Sequence, residues 1–189
     1  PRQAEQVSDF LLLAQLDEGR PYEQTNVDLA DLVADAVHAA HAVAPDRHVS
    51  LVVNDVVVVR GDPSRLRQVF DNLLANVRAH TPPATITTIT VERVADRAVV
   101  TVSDDGPGLD ASGLRRVTDR FFRADTSRAR ASGGAGLGLA LVSAIGEVHG
   151  GNVAVGRPGG PPVMFPLRYG PHGRAWTRGP TARPALGSR

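Results

Sequence analysis

The sequence contains no cysteine and no lysine, one methionine, one tryptophan and few aromatic residues of any kind. Without cysteine there is no disulfide framework and no thiolate metal site, a composition that fits a reducing compartment. Without lysine, all 21 basic side chains are arginines, several of them in the C-terminal tail. The formal net charge is only +1. No basic stripe is interleaved with aromatics, which argues against nucleic acid as a partner. Uninterrupted apolar runs stay far below the roughly 20 residues of a membrane span, and no signal peptide is visible. The chain opens on Pro1 rather than Met and so reads as a piece of something longer. Its length suits one domain of about 130–150 residues with a real core, plus extensions.

What is present is organised around residues 62–82. Asp62 supplies a helix N-cap, Pro63 occupies the first helical position, and Thr81-Pro82 stops the helix. Leu66, Val69, Phe70, Leu73, Leu74 and Val77 recur at steps of three and four, which predicts one buried stripe. Asn72 and Asn76 fall one turn apart on the flank of that stripe, with Arg65 and His80 near the same flank. Asparagine is a poor mid-helix residue because its amide competes for backbone partners. Two of them here are either a ligand site or ordinary polar residues at a helix boundary.

The remaining segments are taken in order. Residues 3–17 carry a helical pattern ended by Gly19 and Pro21, a helix expected to belong to a neighbouring bundle. Residues 22–27 form a connector or a short edge strand. Asp28 caps a second helix with Leu29, Leu32, Val33, Ala36, Val37 and Ala40 facing inward. His38 and His41 lie three apart on it and read as solvated surface rather than a zinc pair, since no further ligands are near in sequence. Residues 48–53 and 56–60 are β-branched runs around Asn54-Asp55, a hairpin signal. Residues 85–94 and 97–104 are strands joined at Ala95-Asp96. Residues 105–135 hold few apolar side chains, and predict a long loop with one short helix around 111–116, of the kind that serves as a lid. A third core helix is predicted over 136–149, with closing strands over 152–156 and 163–168. The tail after Tyr169 lacks apolar periodicity and reads as disordered, its Trp176 incidental. The fold expected is α+β, a two-layer sandwich of one mixed, mainly antiparallel sheet with three helices on one face.

Two glycine clusters carry chemistry. Strand alternation puts Asp104 on the same face as Val100 and Val102, and Asp-x-Gly-x-Gly continues through Gly106 and Gly108. The glycines let backbone approach a ligand, and an acceptor-only carboxylate beside such a turn suits the exocyclic amine of adenine. Taken alone, the motif could equally be a plain turn. Further on, Gly134, Gly136, Leu137 and Gly138 lead straight into a helix, placing free N–H groups and the positive dipole end where phosphates dock. No Lys-Ser/Thr follows, so this is not a Walker A loop. Between the clusters lie Arg120, Phe121, Phe122 and Arg123, whose arginines could neutralise phosphate charge.

The order and spacing of paired helical asparagines, Asp-x-Gly-x-Gly, Arg-Phe-Phe-Arg-Ala-Asp and Gly-x-Gly-Leu-Gly resembles the catalytic ATP-binding domain of sensor histidine kinases. These belong to the larger ATPase group that includes gyrase B and MutL, built on the Bergerat fold with its long ATP lid. The four segments correspond to the family's N, G1, F and G2 boxes, and the similarity covers roughly residues 25–168. It implies a truncated dimerisation and phosphoacceptor region over 1–20, a catalytic domain over 21–168 and a tail over 169–189. It further implies ATP and Mg²⁺ as cofactors, with Asn76 the metal ligand and Asn72 beside it near the phosphates. Asp104 would accept from adenine N6, and Gly106 and Gly108 would shape the adenine pocket, with Leu109 and His80 among the ATP-binding residues. Gly134, Gly136, Leu137 and Gly138 would wrap the triphosphate, and Arg123, with Arg120, would approach the γ-phosphate.

The sequence departs from that family at Ala79, where Lys or Arg is common, and at His80, where Tyr is frequent. Gly160-Pro161-Pro162-Val163-Met164-Phe165 also replaces a Gly-Thr-rich strand start. These departures bear on affinity and turnover more than on fold. None of His38, His41, His48, His80, His149 or His172 stands in the family's phosphoacceptor context, so that histidine is expected upstream. The resemblance implies a protein histidine kinase domain that phosphorylates its own upstream domain for relay to a response regulator. It would be a cytoplasmic domain of a membrane-anchored homodimeric parent, itself mainly monomeric. The alternatives are an anti-sigma-type serine kinase of the same fold and a nucleotide-binding module without turnover.

Overall fold

An edge strand, β1 (Thr25–Asp28), leads directly into α1 (Leu29–Val43). The computed structural model describes residues 23–108, 137–155 and 163–168. Within these the order continues β2 (His48–Val53), β3 (Val58–Gly61), α2 (Pro63–His80), β4 (Ile86–Val94), β5 (Arg97–Asp104), α3 (Gly138–Val148) and β6 (Val163–Arg168). The helix expected over 3–17, the lid with its short helix and the tail from residue 169 lie outside the described residues.

Two helices start where aspartates dictate. Asp28 Oδ1 accepts the Ala30 N–H at 3.0 Å, and Asp62 Oδ1 accepts those of Ser64 and Arg65 at 2.9 and 3.1 Å. Each satisfies amides that the first helical turn leaves without an intrahelical partner. The inward stripe of α2 is buried from Leu66 to Leu74. Packed between α1 and α3, it joins one core with Leu29 and Val33 of α1 and Leu141 and Ile145 of α3. The sheet contributes Ile89 and Val91 of β4, Val100 and Val102 of β5 and Leu167 of β6 to the same core. Each such side chain, taken fully from water, contributes about 1.5–3 kcal/mol before entropy is counted. The architecture is thus the expected α+β arrangement of helices over a sheet.

The sheet itself differs from expectation in three respects. The described strands form a four-stranded sheet in the order β2-β4-β5-β6 and a separate two-stranded one, β1-β3. β2 and β3 do not form a hairpin. β2 runs parallel to β4, with His48 opposite Ile86, while β3 pairs antiparallel with β1. Asn54 and Asp55 extend that parallel ladder instead of turning back. Asn54 N–H donates to Val91 O at 2.9 Å, and Asp55 Oδ2 accepts the Arg93 N–H at 2.9 Å. Val57 is then fully buried, and its carbonyl accepts the Leu29 N–H at 3.0 Å, carrying the chain into the second sheet. Over 152–155, expected as a closing strand, only a single bridge position appears, at Ala154.

The β4–β5 hairpin follows expectation. Val94 pairs with Arg97, and Ala95 takes φ 54° in the two-residue loop. Alternation on β4 buries Thr87, Ile89 and Val91 and leaves Thr88, Thr90 and Glu92 half-buried. That register places Thr87 opposite Asp104, at the end of the sheet where the site lies.

Candidate functional site

The site begins on the flank of α2. Asn72 and Asn76 are half-buried, one turn apart, beside the buried stripe. The Asn72 amide nitrogen donates to the Gln68 carbonyl at 3.0 Å, which fixes the side chain. Its oxygen faces Gly138, the first residue of α3. A Cβ at Gly138 would stand 3.2 Å from Asn72 Oδ1 and 3.5 Å from both carboxamide heavy atoms of Asn76. The glycine therefore holds open the space where two carboxamides meet the start of a helix. Here a side chain would intrude.

That helix start differs from the other two. Leu137 occupies the N-cap position of α3 and makes no side-chain capping hydrogen bond. The amides of the first turn and the positive end of the dipole are thus left for a ligand. Carboxamide oxygens are hard donors of the kind Mg²⁺ takes, and helix-terminal N–H groups suit phosphate oxygens. The donor set fits a metal–phosphate ligand.

Asp104 forms a second corner. It ends β5 on the core-facing side, two residues on from Val102, yet it is exposed because the sheet stops there. Its Oδ1 accepts the Gly106 N–H at 3.0 Å, and Asp105 continues the ladder by accepting the Ile86 N–H at 2.8 Å. A Cβ on Gly106 would fall 2.7 Å from Asp104 Oδ1 and 2.8 Å from Thr81 Cγ2, so only glycine lets the turn lie against the end of α2. Gly108 takes φ 65°, a left-handed conformation that favours glycine. His80 is exposed at the last position of α2. Thr81 is five residues past Asn76, about 7.5 Å along a helix axis. A ligand touching both corners would lie along the C-terminal half of α2.

Gly138 is thus brought to Asn72 and Asn76, with Leu137 before it at the N-cap, and Gly106 to Asp104 and Thr81. Leu109, Arg120, Arg123, Gly134 and Gly136 lie outside the described residues. His38 is exposed, and among the described residues no three His, Cys, Asp or Glu side chains cluster as a metal site.

Two residues that fasten helix ends were not marked by sequence pattern. His149, the C-cap of α3, is buried; its Nε2 accepts the Asp62 N–H at 3.0 Å and its Nδ1 donates to the Ile145 carbonyl at 2.7 Å. Burial lowers its pKa, against smaller upward pulls from the Ile145 hydrogen bond and the Asp62 charge. Arg47, in the connector after α1, reaches the C-terminal end of α2. Apart from the Thr81 hydroxyl, the partners are backbone groups, which leave no trace in residue types.

A family model described as histidine kinase-, DNA gyrase B- and HSP90-like ATPase matches residues 61–172. The probable sensor histidine kinase TcrY of Mycobacterium tuberculosis is 47% identical over 150 residues, covering 79% of this chain and 32% of its own length. The sensor histidine kinase CusS of Escherichia coli O157:H7 is 40% identical over 156 residues, covering 82% of this chain and 32% of its own. The match thus spans about a third of the length of these curated relatives. Among solved structures, the ATP binding domain of PrrB from Mycobacterium tuberculosis is similar with a TM-score of 0.63 at 25% identity, over 79% of this chain and 99% of that one. The mycobacterial sensor histidine kinase MprB gives 0.63 at 26% identity, over 77% and 99%. With more than half of its residues under that model, the chain belongs to the histidine kinase-, DNA gyrase B- and HSP90-like ATPase family.

Proposed function

We propose that the chain binds Mg-ATP and donates the γ-phosphoryl group to a histidine on an upstream helical domain, for relay to a response regulator. The observation that carries this reading is the space kept open between Gly138 and the Asn72–Asn76 pair. Asn76 holds the metal through its side-chain oxygen, and Asn72 lies beside it against the phosphates. Mg²⁺ held there would offset phosphate charge. The uncapped first turn of α3 directs its N–H groups at the phosphate chain, following Leu137 and Gly138. Asp104 accepts the adenine amine, and Gly106 and Gly108 keep backbone close to the base. Gly134 and Gly136 would help wrap the triphosphate, Leu109 would be among the nucleotide-binding residues, and Arg123, with Arg120, would approach the γ-phosphate. Catalysis on this account is positioning and charge neutralisation, with little covalent chemistry from the protein.

The domain would work on the cytoplasmic side of a membrane-anchored, homodimeric parent and be monomeric by itself. No helix among the described residues is long and apolar enough to cross a membrane.

The test is phosphoryl transfer in trans. Supplied with γ-labelled ATP and a separately produced histidine-bearing helical domain of a relative, the chain is expected to label that domain with an acid-labile, alkali-stable bond. The label should then move to an aspartate of a response regulator. Ala79, exposed on the last turn of α2, favours the second reading, binding without turnover. Nucleotide binding with no label on any supplied helical domain would decide for it.

A further inference from the structure

We propose that Arg47 is a positioning residue for the nucleotide site, setting the turn that follows Asp104 by way of Thr81. The inference rests on the nucleotide reading above and assigns a residue that the shared motifs do not include.

Arg47 lies half-buried in the connector between α1 and β2, its own N–H held by the Ala44 carbonyl at 3.1 Å. Its guanidinium spans the end of α2. Nη1 donates to Thr81 Oγ1 at 2.9 Å and to the Pro82 carbonyl at 2.7 Å. Nη2 donates to the carbonyls of Arg78 at 2.7 Å and Thr81 at 3.0 Å. The last carbonyls of a helix have no intrahelical donor, and a cation there also meets the negative end of the dipole. A planar fork with five donors can serve three carbonyls and a hydroxyl at once; an ammonium on a flexible stem cannot.

The consequence passes through Thr81. Its hydroxyl donates to the Val77 carbonyl at 2.7 Å while accepting from Arg47, so the oxygen is fixed from both sides. With the oxygen fixed, Cγ2 has one place to go, against Gly106. Gly106 in turn donates its N–H to Asp104 Oδ1 at 3.0 Å, the carboxylate read as the adenine acceptor. Arg47, Thr81, Gly106 and Asp104 therefore form an unbroken series of contacts, and none of them includes Asn72, Asn76 or Gly138. Arg47 acts on one corner of the site only.

The test uses the 189-residue protein, with Arg47→Met and Arg47→Lys, read by ADP titration and by backbone amide resonances without nucleotide. Arg47→Met should weaken ADP binding about tenfold, with the magnesium dependence of binding kept, as expected from loss of charge-assisted hydrogen bonds at one corner. The Gly106 amide resonance should move while that of Gly138 stays. Arg47→Lys should fall between, at about threefold, and carries the same prediction where Arg47→Met does not fold. A Gly106 resonance that stays in place, or an ADP affinity within twofold of wild type in a variant that moves it, overturns the assignment. If wild type binds no ADP although Gly106 moves in the variants, the nucleotide reading fails and the contact series stands.

Discussion

His149 Nε2 accepts the backbone N–H of Asp62 at 3.0 Å, fastening the C-terminal end of α3 to the N-terminal end of α2 across 87 residues. A ring nitrogen that accepts must be unprotonated, so the neutral imidazole is the folded form. Burial lowers the folded pKa below the ordinary 6.5. The unfolded chain therefore takes up the proton first as pH falls. The contribution is complete above about pH 6.5 and is lost progressively as pH drops through the lower folded value. Urea midpoints at about pH 7.5 and about pH 5.5 should fall more steeply for wild type than for His149→Leu, which has neither a titrating group nor an acceptor. At the higher pH the variant should be less stable by about 1–2 kcal/mol, the cost of a part-buried N–H losing its acceptor. Equal slopes for the two proteins would show that His149 is not the titrating group.

Gly138→Ala should separate stability from binding. Alanine is the better helix former by up to about 1 kcal/mol, so the melting temperature should not fall. The new methyl, 3.2 Å from Asn72 Oδ1, narrows the space over the carboxamides. Nucleotide affinity should drop about tenfold as a metal–phosphate group is crowded out. An unchanged affinity would remove Gly138 from the site.

Ala95 at φ 54° invites the opposite substitution. Glycine takes the left-handed region without the Cβ penalty and is the favoured residue at the first position of a two-residue hairpin loop. Ala95→Gly should stabilise the protein by about 0.5–1 kcal/mol in urea unfolding, with nucleotide binding untouched. A loss of stability would mean that the loop's conformation differs from the one described.

What the sequence made legible was what local chemistry decides. Asp28 and Asp62 announce their helices because a cap acts within three residues, and the stripe from Leu66 to Leu74 follows from helical period alone. The hairpin at Asn54-Asp55 misled for the same reason. A turn signal is local, whereas the parallel partner of His48 is Ile86, far along the chain and unmarked by residue type. Asp104 was placed on the correct face; alternation gives the face, and only the length of the neighbouring strand shows that the sheet stops there and leaves it exposed. The meeting of Gly138 with Asn72 was legible through the resemblance of the motifs, not through spacing. Arg47 stayed hidden because its acceptors are mostly carbonyls at and just past the end of a helix that begins after it.

The central claim is that Asn72, Asn76, Asp104 and Gly138 bound one Mg-nucleotide site, and calorimetric titration of ADP with and without magnesium tests it most directly. Wild type should bind in a magnesium-dependent way. Asp104→Asn should weaken binding by roughly 10- to 100-fold, since an amide cannot offer the adenine amine a charged acceptor. Asn76→Ala should leave residual binding that no longer responds to magnesium. Binding by wild type that neither substitution alters would contradict the account.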